Sequence, residues 1–136
     1  FADNYRLWND AVLLLPDERA AGADRIYFNR GQASMAKRQW LAAIADFERS
    51  VAISPQYAPV RFELGWNYAI VGRYQDAMVQ FDAAIVNDPK FANAYYGKGL
   101  LYKMRGDYKL AAENMQKACE LKSAMACLIV KGHVDH

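Results

Sequence analysis

Apolar residues recur along this chain at helical spacing, in stripes that are separated by short polar or glycine-containing turns. Side chains three and four residues apart share one face of a helix, so each stripe predicts an amphipathic helix. Connectors of two or three residues make successive helices antiparallel neighbours. The predicted fold class is therefore all-α, with helices at 4–16, 23–37, 40–53, 57–71, 74–87, 91–105 and 108–121 and a further helix that begins at Ala124.

A second period of 34 residues is carried by small residues. A glycine inside a helix costs roughly 1 kcal/mol relative to alanine, so its recurrence indicates that another helix must approach closely there. Alanines at the same period supply the matching small surface, large apolar residues fill the space beside it, and prolines end the second helix of each unit. Gly72 and Gly106 fit the turns, where a left-handed backbone suits glycine. The four series are Gly31, Gly65 and Gly99; Ala43, Ala77 and Ala111; Phe47, Phe81 and Met115; and Pro55 and Pro89.

This combination resembles the tetratricopeptide repeat (TPR) family. The clearest copy is 58–91, which carries Leu64-Gly65, Tyr68, Gly72, Tyr74, Ala77, Phe81, Ala84 and Pro89. The resemblance implies a right-handed superhelical solenoid of antiparallel helix pairs that forms a single domain. Its expected parts are a half-repeat helix at 4–16, repeats at 24–57, 58–91 and 92–125, and a capping helix and tail at 124–136. Three residues depart from the family pattern: Ser34 and Arg61 replace bulky residues, and Ser123 replaces a proline.

The inner face of such a solenoid is lined by the first helix of each repeat, and here the resemblance places a band of aromatic residues on it. Aromatic and methionine side chains with a polar rim are typical of grooves that bind peptides or helices. We therefore expect a protein or peptide partner, although the same side chains would also suit packing between helices, and the face or a solenoid end would suit self-association into a homo-oligomer. The band lacks the lysine and asparagine of the TPR clamp for paired carboxylates, since Phe28 and Gln32 stand there. The candidate groove residues are Phe28, Gln32, Met35, Phe62, Trp66, Ala69, Tyr96, Leu100 and Lys103.

The composition narrows the function further. Seventeen basic and fifteen acidic residues give a net charge of +2, and this balance does not favour nucleic acid or an anionic membrane as a partner. The longest apolar runs are too short to insert across a bilayer. Both histidines, His133 and His136, lie in the tail, and the sequence has no phosphate-binding glycine loop and no H-E-x-x-H metal motif. We expect a binding domain that is not an enzyme and that uses no cofactor and no metal.

Cys119 and Cys127 are the two cysteines of the chain. They fall near the end of one helix and in the first turn of the next, which face each other across the turn, so a disulfide is sterically plausible. Their surroundings resemble the terminal Cys-x7-Cys of exported TPR and Sel1-like repeat proteins, which implies a bridge formed in an oxidising compartment. The alternative is two reduced cysteines that pack as small apolar residues.

The first segment carries a second resemblance. Its helix places Leu7, Trp8, Ala11, Val12 and Leu15 at helical spacing before Pro16. With Arg19, Tyr27, Asn29 and Gly31, these residues resemble the junction between the membrane part and the C-terminal TPR region of bacterial O-mannosyltransferase-like proteins. Any helix that precedes a TPR array would also have an apolar stripe and a proline. The resemblance implies a periplasmic, extracytoplasmic domain, and the Phe1 start is interpreted as that of a fragment of a longer protein.

Overall fold

The computed structural model describes residues 4–17 and 19–132. In these ranges the chain forms eight helices and no strand, which confirms the all-α solenoid. The helices are α1 Asn4–Leu13, α2 Ala23–Ala36, α3 Trp40–Ile53, α4 Ala58–Ile70, α5 Tyr74–Asn87, α6 Ala92–Met104, α7 Tyr108–Glu120 and α8 Ala124–Val130.

The turn inside each repeat is closed by a residue in the left-handed conformation. Gly72 and Gly106 have φ values of 88° and 86°, which glycine adopts without a steric penalty. In the middle repeat the N–H of Arg73 then donates to the carbonyl oxygen of Tyr68 at 2.8 Å, a bond that satisfies one of the last carbonyls of the helix. In the first repeat Arg38 occupies the same position with a φ of 59°. This backbone conformation is sterically unfavourable for an L-residue and costs glycine nothing.

Within each repeat, a large side chain of the second helix lies directly on the glycine of the first. A Cβ atom added to Gly31 would lie 2.7 Å from Cε1 of Phe47, and one added to Gly99 would lie 2.9 Å from Cε of Met115. Phe47 is completely buried. The close approach that the repeated glycines predict is therefore present, and it holds the helices of each pair, α2 with α3, α4 with α5 and α6 with α7, in direct contact.

The three departures from the repeat pattern have distinct structural outcomes. Arg61 donates from Nε to the carbonyl oxygen of Pro55 at 3.0 Å and from Nη1 to Oε1 of Gln80 at 3.1 Å, so it joins the middle repeat to the connector before it. Ser123 caps α8, because its hydroxyl oxygen accepts a bond from the N–H of Ala126 at 3.2 Å. Ser34 is fully buried, and its hydroxyl has no hydrogen-bond partner among the described residues.

At the N-terminal end, α1 packs against α2 and is shorter than predicted. The helix stops at Leu13 rather than running to Pro16, as expected from the restriction that proline places on the residue before it. Leu7, which the periodicity assigns to the packed stripe, is 58% exposed. A polar contact helps to attach the helix, since Nη1 of Arg30 in α2 donates to Oδ1 of Asn9 at 3.1 Å.

At the C-terminal end, α8 covers part of the last repeat. Ala126 is completely buried against Met115 and Ala118, and the sulfur atoms of Cys119 and Cys127 are joined in a disulfide. Residues 133–136 of the predicted tail, with both histidines, lie outside the described residues. None of the helices described is both long and apolar enough to cross a membrane.

Candidate functional site

Three adjoining cavities follow the row formed by the first helices of the repeats. The first cavity, of about 340 Å³, lies between α2 and α4; the second, of about 170 Å³, lies between α4 and α6; the third, of about 610 Å³, lies between α6, α7 and α8. Trp66 and Ile70 line both the first and the second cavity, and Leu100 lines both the second and the third. Neighbouring cavities share these walls, so the three adjoin in a row, which we call the inner groove.

Most of the groove residues that were predicted from their positions within the repeats lie on these walls. Gln32 and Met35 line the first cavity with Trp66, and Ala69 lines the second. Leu100 and Lys103 line the third. Phe28 lies apart from them, beside a separate cavity of about 410 Å³ at the start of α2.

Phe62, which was expected to line the groove, borders none of the three cavities and packs against other rings. Its ring centroid lies 5.7 Å from those of Trp66 and Phe81 and 5.8 Å from that of Phe91, and it packs against the main core. Phe91 is the last residue before α6, so this contact joins the first helix of the middle repeat to the connector at its end. Phe62 therefore contributes to holding the Trp66 ring in place.

Phe28 and Tyr96 also make contacts with other rings. The Phe28 ring lies 5.7 Å from the buried ring of Phe47. The Tyr96 ring stacks on Trp66 at 6.3 Å with an interplanar angle of 19°. Trp66 is thus held between Phe62 on its own helix and Tyr96 on the next, so its indole is fixed before any ligand arrives.

Several residues of the groove were not predicted from the repeat pattern. Glu63, Ile70 and Trp40 line the first cavity. Glu63 is half-buried, and burial raises the pKa of its carboxyl group above the ordinary 4.5. Its position three residues before Trp66 on α4 was the available signal, because residues three apart share one face of a helix.

Two charged side chains on the first helices of the repeats, Arg30 on α2 and Glu63 on α4, differ in whether they have a partner. Nε and Nη2 of Arg30 donate to the two carboxylate oxygens of Asp46 at 2.8 and 2.7 Å, and this pairing raises the pKa of Arg30. The Glu63 carboxylate, in contrast, has no hydrogen bond and no ion pair with a residue of 4–17 or 19–132. Among the described residues, no group of three or more His, Cys, Asp or Glu is placed to hold a metal ion.

Sequence comparison agrees with this architecture. A family profile described as tetratricopeptide repeat matches residues 62–126, and a second profile with the same description matches residues 24–57. The chain belongs to the tetratricopeptide-repeat family. Human tetratricopeptide repeat protein 6 is 29% identical over 87 residues, and human neutrophil cytosol factor 2 is 28% identical over 91 residues. These alignments cover 64% and 67% of this TPR chain but only 17% of each relative, so the chain spans a small part of those proteins.

Solved TPR structures superpose on most of the chain. MamA has a TM-score of 0.77 at 26% identity, covering 90% of this chain and 69% of its own. YrrB, described as a TPR protein with an unusual peptide-binding site, has a TM-score of 0.80 at 22% identity and covers 94% and 64%. The second TPR of Spaghetti (RPAP3), bound to the HSP90 peptide SRMEEVD, has a TM-score of 0.70 at 18% identity and covers 73% and 92%. At such identities the last two show a shared fold.

Proposed function

We propose that this TPR domain is a non-catalytic scaffold that binds a peptide or protein segment along the inner groove. The observation that carries the proposal is the row of three adjoining cavities, whose shared walls are Trp66, Ile70 and Leu100. Adjoining cavities along successive repeats suit a segment that crosses several repeats, whereas isolated cavities would suit separate small molecules.

Trp66 is the principal anchor in this proposal. Tryptophan is among the residues that contribute most to protein interfaces, because it buries a large surface with few rotatable bonds. Its contacts with Phe62 and Tyr96 hold the indole in place. Less conformational entropy is then lost on binding, since the groove is formed in advance.

The class of ligand is supported by the described peptide sites of YrrB and of RPAP3. The identity of the ligand does not carry over from them. The RPAP3 peptide ends in an acidic stretch, and Phe28 and Gln32 replace the polar and basic residues with which TPR clamps hold paired carboxylates. We therefore propose a segment that is not rich in carboxylates.

The proposal is tested by selecting peptides from a random display library on the immobilised domain and measuring the affinity of the recovered peptides by fluorescence anisotropy. Trp66→Ala is expected to weaken binding at least about tenfold, as for an interface hot spot. Val86→Ala is the matched control, because Val86 is an apolar residue on α5 that is 80% exposed and lines none of the three cavities described above. Equal losses in the two variants, or none in either, would refute the groove, provided that thermal unfolding shows both variants to be folded.

A second candidate role is favoured by the disulfide between Cys119 and Cys127. A bridge of this kind persists in oxidising compartments, which fits an accessory domain on the periplasmic side of a membrane glycosyltransferase, where it would position acceptor proteins. The discriminating observation is the sequence of the full protein. Several apolar segments of about 20 residues elsewhere in it would support this role, and their absence would rule it out.

A further inference from the structure

The first cavity of the inner groove contains one charged side chain. Of the residues that line it, Gln32, Met35, Ala36, Trp40, Trp66 and Ile70 are neutral, and only Glu63 carries a charge. No lysine or arginine among the described residues forms an ion pair with that carboxylate. The pKa of Glu63 is raised by burial, and no cation among residues 4–17 and 19–132 opposes that shift.

This arrangement is unfavourable for the free domain. A partly buried carboxylate without a partner loses solvation and gains nothing in return. A neutral residue of the same shape would avoid the penalty, as glutamine would at this position. The missing interaction is therefore a positive charge, and it would have to come from outside the described chain.

The walls around Glu63 further restrict the chemistry of that positive group. The two indoles, Trp40 and Trp66, border the same cavity, and so do the apolar side chains of Met35 and Ile70. Indole faces attract cations, and arginine stacks on them more readily than lysine because its guanidinium is planar. The guanidinium also matches a carboxylate with two parallel hydrogen bonds, while the methylenes of the arginine side chain suit an apolar wall.

We propose that the first cavity receives an arginine side chain of the bound segment, with Glu63 as its counter-ion and the indole of Trp40 as its stacking surface. This inference rests on the proposed function, because it names the chemistry of the segment that the same groove binds. The arginine head then compensates the charge of Glu63, and apolar residues of the segment occupy the second cavity beyond Trp66. A bound peptide would thus have an arginine beside apolar residues.

The experiment is a parallel selection from one random display library on the wild-type domain, Glu63→Gln and Glu63→Lys. Peptides recovered on the wild type are expected to be enriched in arginine next to apolar residues. Glu63→Gln should lose the arginine enrichment and keep the apolar residues, and Glu63→Lys should favour aspartate or glutamate. Glutamine preserves the size of the side chain, so a thermal melting point equal to or above that of the wild type verifies its fold.

A thermodynamic cycle then isolates the pair. One arginine peptide is synthesised again with citrulline, the neutral isostere, and its affinity is measured for the wild type and for Glu63→Gln. Citrulline is expected to weaken binding to the wild type at least about tenfold, the effect of a charge-assisted hydrogen bond, and to change binding to Glu63→Gln little.

The outcomes separate the two proposals. If recovered peptides depend on Trp66 but show no arginine preference, or if citrulline binds the wild type as well as arginine does, the arginine site is refuted and the groove function stands. If no recovered peptide depends on Trp66, both proposals are refuted.

Discussion

Gly97 in α6 lies directly on the ring of Phe81 in α5. A Cβ atom added to Gly97 would come within 2.6 Å of Cζ of Phe81, and one added to Gly65 would come within 2.9 Å of Cε1 of the same ring. Phe81 is completely buried between these two glycines, which belong to neighbouring repeats. The contact therefore sets the spacing between the middle repeat and the last one.

We expect Gly97→Ala to destabilise the domain by about 1–2 kcal/mol, because overpacking a buried site outweighs the helix propensity that alanine adds. Urea unfolding measures the change. The control is the same substitution combined with Phe81→Leu, which removes the ring. In the Phe81→Leu background, Gly97→Ala should then lower the unfolding free energy by less than it does in the wild type. Equal losses in both backgrounds would show that the ring is not the obstacle.

The Arg30–Asp46 pair tests how burial changes the value of an ion pair. The side chain of Asp46 is 4% exposed and that of Arg30 is 13% exposed. Asp46→Ala is expected to cost about 3–5 kcal/mol, because it leaves a guanidinium buried without its partner.

Asp76→Ala is the matched control. Asp76 contacts Arg73 at 2.8 Å, but both side chains are about half exposed, and such pairs contribute only about 0–1 kcal/mol. Similar losses of unfolding free energy in the two variants would contradict the role assigned to burial.

Arg38 predicts a stabilising substitution. It adopts a φ of 59° at the turn where the other two repeats have glycine. Arg38→Gly should raise the unfolding free energy by about 0.5–1 kcal/mol, and Gly72→Ala at the equivalent turn should lower it by a similar amount. Melting temperatures that move in the same direction for both variants would refute the backbone explanation.

Glu63 predicts a pH-dependent effect on stability. Burial raises its pKa above 4.5 in the folded state, so the folded protein holds the proton more tightly than the unfolded chain does. This contribution favours folding at low pH and is lost as the pH rises through the folded pKa. Glu63→Gln should therefore be more stable than the wild type near pH 7, with a smaller difference near about pH 4. A difference that grows as the pH falls would show that the carboxylate is stabilising.

The disulfide predicts a local rather than a global effect of reduction. The bridge joins α7 to α8 across a short loop with a sequence separation of 8, and closing a loop of this size is worth about 2–3 kcal/mol. Reduction should raise hydrogen exchange in 123–132 and leave α4 and α5 protected, because α8 packs on α7 alone among the larger helix contacts. The Cys119→Ser/Cys127→Ser variant should show the hydrogen exchange of the reduced protein both with and without reductant. Uniform loss of protection along the chain would contradict this interpretation.

The sequence by itself was sufficient for the fold. Gly31, Gly65 and Gly99 occur at a fixed period, and a helix accepts the cost of glycine only where a neighbour must approach closely, so the pattern determines the helices, their pairing and the inner face. The predictions were less accurate at the first helix, where apolar spacing placed Leu7 inside and the polar contact between Arg30 and Asn9 could not be foreseen.

Only the tertiary structure decided which inner-face residues line the cavities. Phe62 and Trp66 are one helical turn apart and look equivalent in the sequence. Phe62 packs against the ring of Phe91 and lines none of the three cavities, while Trp66 lies at the border of two of them. The unpaired state of Glu63 depends in the same way on the positions of all surrounding charges. Local periodicity determines which face a side chain occupies, but its accessibility and its partners depend on residues that are distant in the chain and come together only when the repeats stack.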